Sequence, residues 1–217
     1  MAVLDIHEQR MRRSAEIARF QMELQLDKRF LSPLDVIRVL NREKISFVLV
    51  GAYGLSGWMT QARATEEVDV VVALKHVKKA TRLLLEEFPF LEADDQEVVV
   101  CLRDKVSTDV LIDLMKPTQP HLRAIFKHTE KVELKKQTYR IPTIEMALVL
   151  KFAPMISLAR IDRKKFIDAH DFMDMVQRNS ELDEELLQTL GDLVYNGGGK
   201  AIVELVRKVR AGEKLTL

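Results

Sequence analysis

Gly51–Lys75 reads GAYGLSGWMTQARATEEVDVVVALK, and its last third decides how the chain is built. Val68–Leu74 is rich in β-branched residues, the composition of a buried strand. Asp69 nevertheless interrupts that run, and Glu67 stands two residues before it. Strand side chains alternate between faces, so Glu67, Asp69 and Val71 share one side and Val68, Val70 and Val72 the other. The valine face is expected to pack under helices while the opposite face presents two carboxylates to a crevice. Ionised carboxylates this close repel, and desolvation adds to the cost. A divalent cation offsets both. Mg²⁺ is the expected ion, with Mn²⁺ as the alternative, because it takes hard oxygen ligands and pairs with substrate phosphates.

Working outward from this stretch, Ile45–Val50 predicts a central strand ending at Gly51. The segment from Gly51 to Trp58 predicts a turn and a short helix. Gly51, Gly54 and Gly57 lack the G-x-G-x-x-G spacing of a dinucleotide-binding fingerprint. Ser32-Pro33 predicts an N-cap followed by the first residue of a helix, and Ile6–Leu26 a helix with a charged, solvated face.

On the other side, Val77–Phe88 predicts a helix. EVVVCLR (Glu97–Arg103) and DVLIDLM (Asp109–Met115) predict strands whose connection, DKVST, suits antiparallel pairing. Lys131–Ile141 reads as an outer strand with a basic face. After Pro142 the spacing predicts four helices, at Ile144–Leu158, Lys164–Gln177, Leu182–Val194 and Ala201–Val209. Ser180 is the expected start of the third, and Gly197-Gly198-Gly199 a flexible punctuation. The fold class is therefore α/β in the α+β sense, a small mixed sheet followed by a helical bundle. The expected division is a helical extension over 1–31, a catalytic domain over 32–141 and a helical domain over 142–217.

The 217 residues are 47% hydrophobic, enough for a sizeable core. Lys plus Arg number 34 against 33 Asp plus Glu, so overall charge gives no strong pull toward nucleic acid or membrane. Cys101, the only cysteine, excludes an intrachain disulfide and a cysteine-rich metal site. With no secretory or long apolar segment to read, the expected location is cytoplasmic with no membrane association.

A third acid is expected from the later strand. Asp113 lies inside an apolar run, where an uncompensated charge is costly, whereas Asp109 sits nearer the turn. The bland reading of Asp113 is a strand-end residue that caps a helix or pairs with Arg or Lys. Trp58 reads as a core anchor, and Met173 and Met175 as packing residues. His170 is not expected to bind metal with Asp168 and Asp171, since it points elsewhere on the helix.

In this order, VLVGAYGLSGW (Val48–Trp58), RATEEVDVVV (Arg63–Val72) and VLIDLM (Val110–Met115) resemble the nucleotidyltransferase superfamily related to DNA polymerase beta. More narrowly they look like bacterial minimal nucleotidyltransferases and AbiEii-type toxin nucleotidyltransferases. The resemblance covers about Ser32 to Arg178. It implies that Gly51 and Ala52 approach nucleotide phosphates, that Glu67, Asp69 and Asp113 are catalytic metal ligands, and that Arg63 and Thr65 position phosphates or brace the loop. Lys151 falls at the family's nucleotide-side lysine, and a snorkelling helix lysine is the alternative reading. The implied reaction moves a nucleoside monophosphate from an NTP, with ATP expected, to a hydroxyl on tRNA, protein or a small molecule. A toxin-like role would add a cognate antitoxin as partner. Two positions depart from the pattern: Ala52 stands where glycine or serine is usual, and Glu67 where this subfamily commonly has aspartate. The rival reading is a noncatalytic nucleotide-binding or regulatory protein-interaction domain.

Overall fold

A computed structural model of the chain describes residues 3–23, 29–61, 63 and 65–214. They form two units. The first holds the chain up to Gly57 with Gln61–Thr118 and Thr129–Ile141; the second holds Trp58–Thr60, Gln119–His128 and the chain from Pro142 onward.

The first unit begins with α1 (Val3–Glu23) and α2 (Pro33–Arg42). The expected end of α1 at Leu26 lies outside the described residues. Ser32 caps α2 by accepting from the Leu34 amide at 3.3 Å, and Pro33 occupies the first turn, where its missing N–H costs nothing. Next come β1 (Phe47–Leu49), α3 (Gly51–Leu55), β2 (Val68–Val72) and α4 (Val77–Glu87). They are followed by β3 (Leu91–Asp95), β4 (Val99–Asp104) and β5 (Val110–Met115).

The five strands form one sheet in the order β1-β2-β5-β4-β3. β2 and β5 run parallel and the other pairs antiparallel. On one face, Val68, Val70, Val72, Val100, Leu102, Ile112 and Leu114 join a core with Ile37 and Leu40 of α2 and Ala80 and Leu84 of α4. A fully buried aliphatic side chain of this kind contributes about 1.5–3 kcal/mol. This face confirms the alternation read from the valine run.

Two features of this unit differ from expectation. β3 was not foreseen because LEADD carries three acids; it is an edge strand, and charged side chains keep such an edge from pairing with other chains. Lys131–Ile141 is not one strand. β6 (Thr129–Leu134) and β7 (Gln137–Pro142) form a separate two-stranded sheet. Lys135 and Lys136 turn the chain with φ of 48° and 64°. A two-residue hairpin turn needs such positive φ values, usually taken by Asn or Gly, so two lysines hide it from view.

The second unit is helical: α5 (Pro120–Ala124), α6 (Ile144–Ile156), α7 (Asp162–Arg178), α8 (Glu184–Asp192) and α9 (Gly198–Ala211). The short α5 was not anticipated. Thr143 caps α6 through the Met146 amide at 3.4 Å. Asp183, not Ser180, caps α8, accepting from the Leu186 amide at 2.9 Å. The triple glycine is a packing device as well as a turn. Gly197 has φ 91°, but a Cβ on Gly199 would lie 2.2 Å from the Gln188 carbonyl oxygen, so its hydrogen lets α9 approach α8. Trp58 is buried here and donates Nε1–H to the Pro142 carbonyl at 3.0 Å, the core role expected of it. No helix among the described residues is long and apolar enough to cross a membrane.

Candidate functional site

The sheet register assembles the acids. In the parallel pairing of β2 with β5, Asp69 stands directly beside Asp113, and Cys101 of β4 flanks Asp113 on its other side. These three positions lie on the face opposite the aliphatic core, because Val68, Val70, Ile112 and Leu114 occupy that one. Glu67, one residue before β2, completes the group: one carboxylate oxygen from each of Glu67, Asp69 and Asp113 lies within 4.8 Å of the others. None of the three is fully buried. Asp109 lies instead at the β4–β5 turn, where its amide donates to Ser107 Oγ at 3.3 Å and its carbonyl accepts from the Asp104 amide at 2.9 Å.

Gly51 is set by this cluster. Its φ is +59°, and a Cβ there would come within 1.9 Å of Asp69 Oδ2. The Val50 amide donates to the Asp69 carbonyl at 2.9 Å, tying the end of β1 to the acid-bearing strand. Ala52, in the first turn of α3, is buried.

The segment from Arg63 to Glu67 is braced through its backbone. Ser14 of α1 donates to the Arg63 carbonyl. Tyr53 of α3 donates to the Thr65 carbonyl at 3.0 Å, and Thr65 Oγ1 donates to the Glu67 carbonyl at 3.4 Å. Burial, with the Asp69 charge beside it, pushes the Tyr53 phenol above its ordinary range, so it stays a neutral donor. Thr65 takes part in this bracing through both its carbonyl and its hydroxyl. α1 is itself anchored by His7, whose Nδ1 meets Ser56 Oγ and whose Nε2 meets the Tyr139 hydroxyl, both at 3.1 Å. Burial lowers His7 to a pKa of about 4.

Cys101 is shifted up to about 12, chiefly by burial and then by its hydrogen bond to Asp113 and that carboxylate's charge. Its thiol stays protonated beside the third acid, its register partner across β4 and β5. Sequence reasoning did not single out Ser14, Tyr53 or Cys101 as site residues. The signal for Cys101 is its place on β4, which becomes informative only with the β4–β5 register.

Lys151 belongs to the second unit. Its ammonium engages Asp168 Oδ1 at 3.0 Å and Asp171 Oδ2 at 2.7 Å, and all three residues are buried. Arg160 adds Nε and an outer guanidinium nitrogen to Asp168 Oδ2 at 3.0 and 2.8 Å. His170 is largely solvated, as its helix position predicts.

No protein-family model and no curated protein matches this chain. Among solved structures, an antigenic nucleotidyltransferase-like protein from Paracoccidioides brasiliensis superposes with a TM-score of 0.50 at 20% identity, over 83% of this chain and 91% of that one. The fold is nucleotidyltransferase-like. Weaker superpositions accompany it. The antibiotic-resistance factor ANT(2″)-Ia gives a TM-score of 0.49 at 8% identity, over 83% of this chain and 96% of that one. The lincomycin-bound lincosamide antibiotic adenylyltransferase LnuA gives 0.45 at 12%, over 65% and 94%. Within this nucleotidyltransferase-like fold, the convergent acids form an all-oxygen donor set. That set suits a hard divalent cation better than a soft one.

Proposed function

We propose that this chain is a metal-dependent nucleotidyltransferase that moves a nucleoside monophosphate, with ATP as the expected donor, to an acceptor hydroxyl. The convergence of one carboxylate oxygen from each of Glu67, Asp69 and Asp113 within 4.8 Å carries the reading, because it is an all-oxygen donor set of the kind that Mg²⁺ takes beside substrate phosphates. Glu67 and Asp69 would hold Mg²⁺ or Mn²⁺ beside the nucleotide, and Asp113 would share in holding it. When bound, the cation neutralises phosphate charge and stabilises the attacking and leaving oxygens.

The chain's own groups then orient the reactants. Asp113 accepts the proton of the acceptor hydroxyl, whose oxygen forms a bond to the α-phosphorus as the bond from that phosphorus to the bridging oxygen breaks. Pyrophosphate leaves with the electron pair of that bond. Gly51 and Ala52 offer backbone amides to phosphate, and Arg63 offsets developing negative charge. Thr65 holds the loop that carries Arg63 and Glu67. Lys151, at the position the resemblance gives to a nucleotide-side lysine, holds Asp168 and Asp171 within the second unit. The acceptor is a hydroxyl on tRNA, protein or a small molecule, and a toxin-like version of the activity would be neutralised by a cognate antitoxin in the cytoplasm. The expected domain division places the acids, Gly51, Ala52, Arg63 and Thr65 within 32–141, with 1–31 as a helical extension and 142–217, which carries Lys151, as a helical domain.

Incubation with Mg²⁺, each radiolabelled NTP and cellular RNA or protein extract tests the reading. Covalent label that appears with the native chain and falls by about a thousandfold or more in Asp69→Ala is expected. Absence of label across acceptors, together with no Mg²⁺ binding with or without NTP, would sink it. Nucleotide protection without pyrophosphate release would favour the noncatalytic regulatory alternative.

A further inference from the structure

Helix α1 precedes the expected 32–141 domain, yet one of its side chains reaches the acid-bearing segment. The buried side chains along α1 are His7, Met11, Ser14, Ala18 and Met22, each at most 2% exposed. Steps of three and four residues put all of them on a single stripe of the helix. Met11 and Met22 join the apolar core of the first unit. Ser14 does something different.

Serine in the middle of a helix is a poorer helix former than alanine, and burying its hydroxyl is costly unless an acceptor is at hand. The common acceptor is the carbonyl four residues back in the same helix. Ser14 Oγ donates to the Arg63 carbonyl, far along the chain. Ala18, one turn on in the same stripe, shows that α1 packs against the unit without a hydroxyl. The hydroxyl of Ser14 therefore serves the segment it reaches more than the helix it stands on.

That bond is the first of a series. The hydroxyls of Ser14, Tyr53 and Thr65 donate in turn to the carbonyls of Arg63, Thr65 and Glu67. Alternate carbonyls are thus held along a stretch whose described residues belong to no helix or strand. Among the three acids this bears on one above all. Asp69 and Asp113 are fixed by the β2–β5 ladder, whereas Glu67 precedes β2 and takes its place in part from this segment. Holding a ligand's backbone before the cation arrives removes an ordering cost from binding.

We propose that Ser14 is a positioning residue of the metal site: from α1 it holds the Arg63–Glu67 segment so that the Glu67 carboxylate meets those of Asp69 and Asp113. The inference rests on the metal-dependent reading of these acids, and it makes α1 a working part of the site.

Calorimetric titration of the full chain with Mg²⁺ tests it, with Asp69→Ala as the check that the acids bind the ion. Ser14→Ala should weaken Mg²⁺ binding about three- to tenfold, the worth of one hydrogen bond, with little change in the metal-free thermal midpoint. It should also speed tryptic cleavage after Arg63 by about as much, a readout that needs no metal. Met22→Ala removes apolar packing from the same helix about two turns beyond Ser14, so it should lower the midpoint and leave both readouts near native. Unaltered cleavage after Arg63 in Ser14→Ala, or equal losses in Met22→Ala, would overturn the proposal. Native binding that Asp69→Ala abolishes and Ser14→Ala leaves intact would sink this inference alone. A native chain that binds no Mg²⁺, with or without NTP, would sink the metal-dependent reading along with it.

Discussion

The first unit brings Glu67, Asp69 and Asp113 within 4.8 Å of one another, whereas the second surrounds Asp168 and Asp171 with Lys151 and Arg160 at 2.7–3.0 Å. Both groups are acidic in the sequence, yet they are organised differently. In the second, each carboxylate meets the Lys151 ammonium of its own unit. In the first, strand register and the residue before β2 bring one carboxylate oxygen from each of three acids to one point, the donor set that a hard divalent cation takes. Acid content therefore says little; what distinguishes the clusters is whether the carboxylates converge on one another or on a lysine.

Breaking the second cluster should give the largest stability effect. Lys151→Met removes the ammonium that both buried carboxylates meet, and a loss of about 3–5 kcal/mol in denaturant unfolding is expected. An unchanged midpoint would mean that the network is not closed as described.

The buried histidine of the first unit tests whether its polar cost extends beyond the acids. His7 is held at about 4 when folded against 6.5 when unfolded, so the folded chain binds fewer protons between those values. Stability is fully present above pH 6.5 and declines as pH falls toward 4, by roughly 3 kcal/mol in all. His7→Gln should flatten the slope of unfolding free energy between pH 6.5 and 5, where few carboxylates titrate. An identical slope would contradict the neutral, buried imidazole.

Gly51→Ala strikes the acid cluster through the backbone. The left-handed φ of +59° costs an L-residue about 1–2 kcal/mol, and the new methyl must displace Asp69. A lower thermal midpoint together with weaker Mg²⁺ binding in calorimetry is expected. Loss of stability with unaltered metal affinity would separate Gly51 from the site.

Asp113→Asn gives the smallest change in the fold and is read through the metal. It should remove most of the stabilisation that Mg²⁺ gives the native chain, measured as the difference in thermal midpoint between metal-free and Mg²⁺ buffer. An unchanged Mg²⁺ shift would show that Asp113 is not among the ligands, and the contrast between the clusters would fail.

Much of this was legible from composition and period. Alternation in Val68–Val72 placed Asp69 opposite the core face, β-branched runs marked β4 and β5, and the spacing after Pro142 gave α6 to α9 to within a few residues. The misses have specific causes. An acid-rich edge strand such as β3 lacks the apolar face that periodicity detects, and a hairpin turned by Lys135-Lys136 lacks the usual glycine or asparagine. Ser180 and Asp183 both suit an N-cap chemically, and only the helix start chose between them.

By itself, the order of residues determined which strands alternate, which acids leave the core face and which segments wind into helices, because these are properties of near neighbours along the chain. Tertiary structure alone decided that Asp69 lies beside Asp113 with Cys101 on its far flank, that Ser14 and Tyr53 hold the Arg63–Glu67 segment, and that Lys151 faces two carboxylates. Those contacts join residues far apart in sequence, and strand order and register, which set them, leave no mark in a local pattern.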